Sequence, residues 1–193
     1  MSTRPVTQLD QYWIVATGPV AVVLVLVTPV IAQYCPAWLL MVWIQLPVYM
    51  IHQCEEHHGD RFRLWVNNRL GGGRELLTLR DVLVINLPGV WGVNAVSLLL
   101  AAFVQPGLGL IAVYLTLVNT VAHRAAAARF RAPNPGLWTS IGLFIPAGTG
   151  GLLTINRASE GNLTMHIVGF GTALAIHLDR KSTRLNSSHR CIS

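Results

Sequence analysis

Six apolar stretches, each close to the length a helix needs to cross a bilayer, leave this chain few ways to fold. They cover residues 13–32, 37 to about 53, 82–104, 107 to about 128, 137–155, and about 163 to 178. A helix needs roughly 20 apolar residues to cross about 30 Å of hydrocarbon. Hydrocarbon offers backbone groups no partner, so each stretch must satisfy its own N–H and C=O groups, and helices do this. Composition agrees: 52% of residues are hydrophobic, 11% are charged and mean hydropathy is +0.50. The expected fold is therefore all-α, a polytopic transmembrane bundle of about six spans. Pro19, Pro29, Pro47, Pro88 and Pro146 fall inside spans, where neighbouring helices re-satisfy the carbonyls they free. Trp13, Trp38 and Trp138, near span ends, read as interfacial anchors. Gly107, Gly109, Gly148, Gly150 and Gly151 read as sites of close helix packing.

Arginine placement orients the bundle. Arg4 precedes the first span, Arg61, Arg63, Arg69, Arg74 and Arg80 fill the second connection, and Arg124, Arg129 and Arg131 follow the fourth span. These nine share one side, and the opposite connections hold only Arg157. The positive-inside rule then puts both termini in the cytoplasm, as expected for an integral protein of a bacterial cytoplasmic membrane. The lipid bilayer is the first partner, and the arginines of the second connection suit anionic headgroups.

Residues 1–178 read as one membrane domain. Residues 179–189, DRKSTRLNSSH, resemble the direct translation of a short-read sequencing adapter, and 179–193 are expected to be foreign to the protein. They hold the only lysine and three of the six net positive charges. Cys35, Cys54 and Cys191 form no CxxC and no paired framework. Gly71, Gly72 and Gly73 lack the GxGxxG or GxxxxGK spacing of a phosphate cradle, so neither a nucleotide nor a nucleic-acid partner is expected.

Against this apolar background, ionisable groups at membrane depth demand a reason, since a charge at a helix centre costs roughly 2.5–3.5 kcal/mol on insertion scales. His52, Glu55 and Glu56 close the second span. Three- and four-residue separations put all three on one helical face. On the fourth span Asn119 and His123 are also four apart, and Asn86 and Asn94 share a stripe of the third. Depth brings these groups to one cytoplasm-facing level. Plainer readings exist: Glu55 and Glu56 pairing with Arg61 or Arg63, His123 at a helix end, and the asparagines as interhelical glue. His57 and His58, followed by Gly59 and Asp60, read as a solvated helix end, although either can complete a coordination shell. His166, near the outer side, reads as structural or as part of a separate network.

The string His52, Gln53, Cys54, Glu55, Glu56, with Asn86, Asn119 and His123 downstream, resembles the HXXEE-domain family of membrane proteins. The resemblance covers residues 13–178. It implies an enzyme of unestablished reaction that uses histidine, glutamate and asparagine, so the catalytic candidates are Glu55, Glu56, His123, Asn119 and Asn86.

Two chemistries fit these residues. In one, His52, Glu55, Glu56 and His123 hold a divalent metal such as zinc or iron, which activates water toward a lipid-like or peptide substrate. In the other, a buried glutamate is the general base and His123 and Asn119 stabilise developing charge. The second is similar to the glutamate-dependent CAAX-type intramembrane proteases. Their arginine, however, follows the acid pair one position earlier than Arg61 does here, and their later histidine precedes the asparagine. A proton-coupled transporter or lipid-binding membrane protein is the alternative class. It would need polar access from both faces, whereas these groups cluster on one.

Overall fold

The computed structural model describes residues 8–189, and the side chains of residue 8 and of 12–178. Arg4 and Cys191 lie outside the described residues, as do the side chains of 179–193. The described chain is helical throughout, with no strand among the described residues. Its helices are α1 (Gln8–Ile31), α2 (Ala37–His57), α3 (Arg61–Trp65), α4 (Leu79–Asn86), α5 (Val93–Phe103), α6 (Leu110–Phe130), α7 (Leu137–Thr139), α8 (Ile145–Arg157) and α9 (Leu163–His189).

Five helical runs are long and apolar enough to cross a membrane: Tyr12–Ile31, Ala37–Leu70, Leu79–Phe103, Pro106–Phe130 and Leu137–Arg157. Leu163–Leu178 is a shorter apolar helix. The second run is longer than the sequence pattern suggests, because helix α2 continues through the acid pair to His57 and an amphipathic segment follows it. The outward face of α1 is a stripe of exposed apolar residues, among them Val15, Val22, Leu26 and Val30, the surface that hydrocarbon rather than water favours.

Prolines set the bends. Pro88 lies within a widened turn, Leu87–Gly92, that joins α4 to α5, and Pro146 follows a second one, Ser140–Phe144, that joins α7 to α8. A proline lacks the N–H that would close the ladder, and a helix absorbs the loss by widening. A third widened turn, Val66–Leu70, continues α3. Close packing by glycine is borne out: a Cβ at Gly151 would lie 2.6 Å from Val113, and one at Gly148 would lie 2.5 Å from Leu117.

Helix α2 is the spine, since it packs against α1, α5, α6 and α8. Its burial is polar toward the C-terminal end, where His52, Gln53, Glu56 and His57 are all enclosed. The chain then reverses through Gly59 (φ 63°) and Asp60 (φ 61°), both left-handed. The connection back to α4 folds down onto the bundle. Asn67 pins it, accepting from the Leu76 and Leu77 amides at 2.9 Å each and donating to the Leu77 carbonyl at 3.0 Å. Thr78 and Asp81 then cap α4 reciprocally. Trp13 is not an interfacial anchor: it is buried, with its ring 5.4 Å from His57 and 6.4 Å from Trp91.

Candidate metal centre

Helices α2 and α6 bring His52, Glu56 and His123 together, and the short segment between α6 and α7 closes over them. Left-handed Arg131 ends α6, and Asn134, Pro135 and Gly136 turn the chain back across the site. Gly136 has φ 90°, a left-handed conformation, and a Cβ there would lie 2.7 Å from His52 Cε1 and 2.8 Å from His123 Cε1. Only a residue without a side chain lets the backbone pass so close to both imidazoles.

Each histidine is held by its Nδ1. The Asn134 amide nitrogen donates to the His123 carbonyl at 2.8 Å, so its Oδ1, 2.6 Å from His123 Nδ1, is the acceptor and Nδ1 carries the proton. At His52, Thr139 spends its one hydroxyl proton on the Glu55 carboxylate, so its oxygen accepts from His52 Nδ1 at 2.9 Å. Both rings therefore present Nε2 as an acceptor. These nitrogens stand 3.5 Å (His52) and 3.6 Å (His123) from the two oxygens of Glu56. Asn119 donates to the same His52 nitrogen at 3.2 Å.

A third lone pair borders the carboxylate. The Trp91 indole can only donate, and it reaches Gln53 Oε1 at 2.7 Å, which leaves Gln53 Nε2 to donate to Asn86 Oδ1 at 2.9 Å. Asn86 Nδ2 then donates to the Val82 carbonyl at 2.8 Å and to His57 Nε2 at 3.1 Å. His57 Nε2 is thus an acceptor, yet it lies 3.1 Å from Glu56 Oε2. Two buried acceptors this close need a shared proton or a cation between them.

The donor set fits a metal. A four-coordinate ion with bonds of about 2.0–2.1 Å holds neighbouring ligand atoms about 3.4 Å apart. One ligand atom from each of His52, Glu56 and His123 lies within 4.8 Å of the others, and all three residues are buried. Imidazole protons fixed by outer partners, with Nε2 facing a carboxylate, are the usual support for such ligands.

A cavity of about 250 Å³ adjoins the group. Its polar lining includes Glu56, His57, Asn86, Asn119, His123 and Asn134, and its apolar lining includes Phe62, Trp65, Leu70, Leu77, Ile85 and Ala126.

Most of the residues singled out in the sequence therefore meet, in unequal roles. His52, Glu56 and His123 form the cluster, and Asn119 touches it. Glu55 is one remove away, accepting from the Thr139 hydroxyl and, at 2.7 Å, from the Thr139 amide. Asn86 acts on His57. His57 is buried and belongs to the site rather than to a solvated helix end, while His58 is exposed. The arginines do not pair with the two glutamates: Arg61 binds the backbone carbonyls of Glu55 and His58, and Arg63 binds Asp60 and Glu75. Asn94 donates to the Val90 carbonyl within its own helix. His166 joins a separate network, with Tyr114 at 2.8 Å and Asn156 at 2.9 Å. Sequence reading missed Asn134, Gly136, Thr139 and Gln53. The Asn-Pro-Gly run at 134–136 is a strong turn signal, and it was the available clue to the first two.

Fold and site together define a helical protein of membrane composition that encloses a histidine and carboxylate cluster. The chain belongs to the family described as "Protein of unknown function with HXXEE motif", which it matches over residues 43–149, a stretch that holds every residue of the cluster. No curated protein and no solved structure matches it.

Proposed function

We propose that this chain is a metal-dependent hydrolase embedded in the bacterial cytoplasmic membrane, acting on a lipid-like or peptide substrate from a cytoplasm-facing site. One observation carries the reading: both His52 and His123 have Nδ1 tied to a protein acceptor, so that both Nε2 lone pairs converge on Glu56. Nothing about helix packing requires that arrangement.

His52, Glu56 and His123 would hold the ion, with zinc or iron compatible with a nitrogen and oxygen donor set. Once bound, a divalent ion supplies an acidic water and polarises a carbonyl. The chain's own groups do the rest. Asn134 and Thr139 orient the imidazoles, and Glu55 orients Thr139. The Asn119 amide, at the cavity edge, donates to the oxygen that gains charge when water attacks. His57 Nε2, which Asn86 holds as an acceptor beside Glu56, takes the proton that water gives up. The water oxygen bonds to the carbonyl carbon, that carbon's bond to its oxygen or nitrogen leaving group breaks, and the leaving group takes the proton.

The reading includes six spans with both termini in the cytoplasm. In its support, the rings of Trp65 and Phe130 meet at 5.4 Å, which joins the two arginine-bearing segments at one end of the bundle. A cysteine introduced at Arg74, in a background without the native cysteines, should be labelled from the cytoplasm, and one at Glu160 from the opposite side. Labelling of both from one side would sink the topology.

The functional test is metal content by elemental mass spectrometry on detergent-purified protein handled without chelators. Near-stoichiometric metal in the wild type, lost in both His52→Ala and Glu56→Gln, is the expected result. Metal-free wild-type protein would overturn the reading in favour of metal-free glutamate chemistry or proton-coupled transport.

A further inference from the structure

The cavity beside the cluster is lined by a linked group of polar side chains and by a larger set of apolar ones, and their contrast selects what can enter. Resting on the hydrolase reading, we infer that the substrate is an amphiphile with a single apolar chain and an ester or amide head, the chain lying in the apolar part of this cavity.

Three observations carry this. First, the apolar walls come from two separate segments of the chain. Ala122 and Ala126, four apart on α6, leave room by being small, and Phe62, Trp65, Leu70 and Leu77 of the folded-back connection face the same space. The three hydrogen bonds of Asn67 close that connection on itself, and Val66 and Leu77 pack it against Trp13 and Val82, so the roof is built rather than draped. Second, the polar lining residues are joined to one another: Glu56 to His57 and His123, Asn86 to His57, Asn134 to His123 and Asn119 to His177. A head group lodged there leaves its chain only the apolar part to occupy.

The third observation is size. Pockets for drug-sized ligands run roughly 300–1,000 Å³. At about 250 Å³ this cavity is of a size to take one hydrocarbon chain. A peptide fits poorly for another reason: an extended backbone carries an N–H and a C=O at every residue, and the side chains along this wall offer neither a partner. A hydrocarbon chain asks for none.

Trp65 lines the cavity, which supplies a probe. The experiment titrates 8-bromooctanoate and bromoacetate into the protein in phosphatidylcholine nanodiscs and follows tryptophan fluorescence, which a heavy bromine quenches on contact. Metal content is measured on the same samples. The long probe should quench saturably, the short one should not, and Trp65→Phe should remove most of the saturable amplitude. Ala126→Phe, which fills the cavity, should weaken the long probe at least tenfold. In a series of shorter bromoalkanoates, affinity should fall roughly fourfold per methylene removed. Bromoalkanoate merely dissolved in lipid quenches without saturation and equally in all three proteins, and that result would overturn the inference. The two readings fail separately. Stoichiometric metal without saturable quenching removes the chain site alone, whereas saturable quenching in metal-free protein removes the hydrolase and leaves an amphiphile-binding cavity.

Discussion

Asn134 Oδ1 lies 2.6 Å from His123 Nδ1, while the amide nitrogen of the same side chain donates to the His123 backbone carbonyl, so one residue fixes both the tautomer and the angle of the ring. Outer partners of this kind typically change metal affinity 10–100-fold. Asn134→Leu should therefore weaken zinc binding by about that factor. Asn134→Asp, which keeps the acceptor, should lose far less. Competition against a chromophoric chelator measures both, and equal losses would show that Asn134 only packs.

The two glutamates are not equivalent. Glu56 faces both imidazoles, whereas Glu55 reaches His52 only through Thr139. Glu56→Gln should abolish bound metal, and Glu55→Gln should retain it with affinity reduced roughly tenfold. Thr139→Val should resemble Glu55→Gln, and Thr139→Ser should resemble the wild type. Identical metal loss in the two glutamine variants would contradict the geometry.

Gly136 tolerates no side chain. In Gly136→Ala the new methyl would meet both imidazoles below 3 Å, in a backbone conformation that alanine adopts only with strain. Strain of this sort costs on the order of 1–3 kcal/mol. A lower thermal midpoint together with weakened metal binding is expected. Unchanged values in both would mean that the segment moves aside freely.

Asn67 holds the folded-back connection through three hydrogen bonds, and replacing it with leucine leaves buried backbone groups unpaired. Each orphaned group costs about 1–3 kcal/mol. Asn67→Leu should open the connection to limited proteolysis near Gly72 while the spans stay protected. A digestion pattern identical to that of the wild type would count against the pinning role.

How far these features can be read from the residues depends on how far apart the partners lie in sequence. His52 with Glu56 and Asn119 with His123 are four apart, so one helical turn explains each pair. Counting depth along adjacent spans then brings the two pairs to one level. Asn134, Gly136 and Thr139 act through the return of a loop onto two helices, and no local period encodes that return. His57 was misjudged for a related reason. Gly59 and Asp60 do end the helix, but the segment beyond folds back over it instead of leaving for solvent. Trp13 likewise carries no sign of which side of α1 faces Trp91. Periodicity places a side chain on its own helix and says nothing of what a neighbouring helix brings to it.

The stretch from Arg131 through α7 sets both rings. Asn134 orients one imidazole, Thr139 the other, and Gly136 passes over both, so neither ring is set by the helix that bears it. During synthesis, α2 and α6 would already be in place while the two rings were still free to turn. The ligands are oriented only after residue 139 has left the ribosome, so these few residues determine when in the life of the chain the site first takes the shape that would hold a metal.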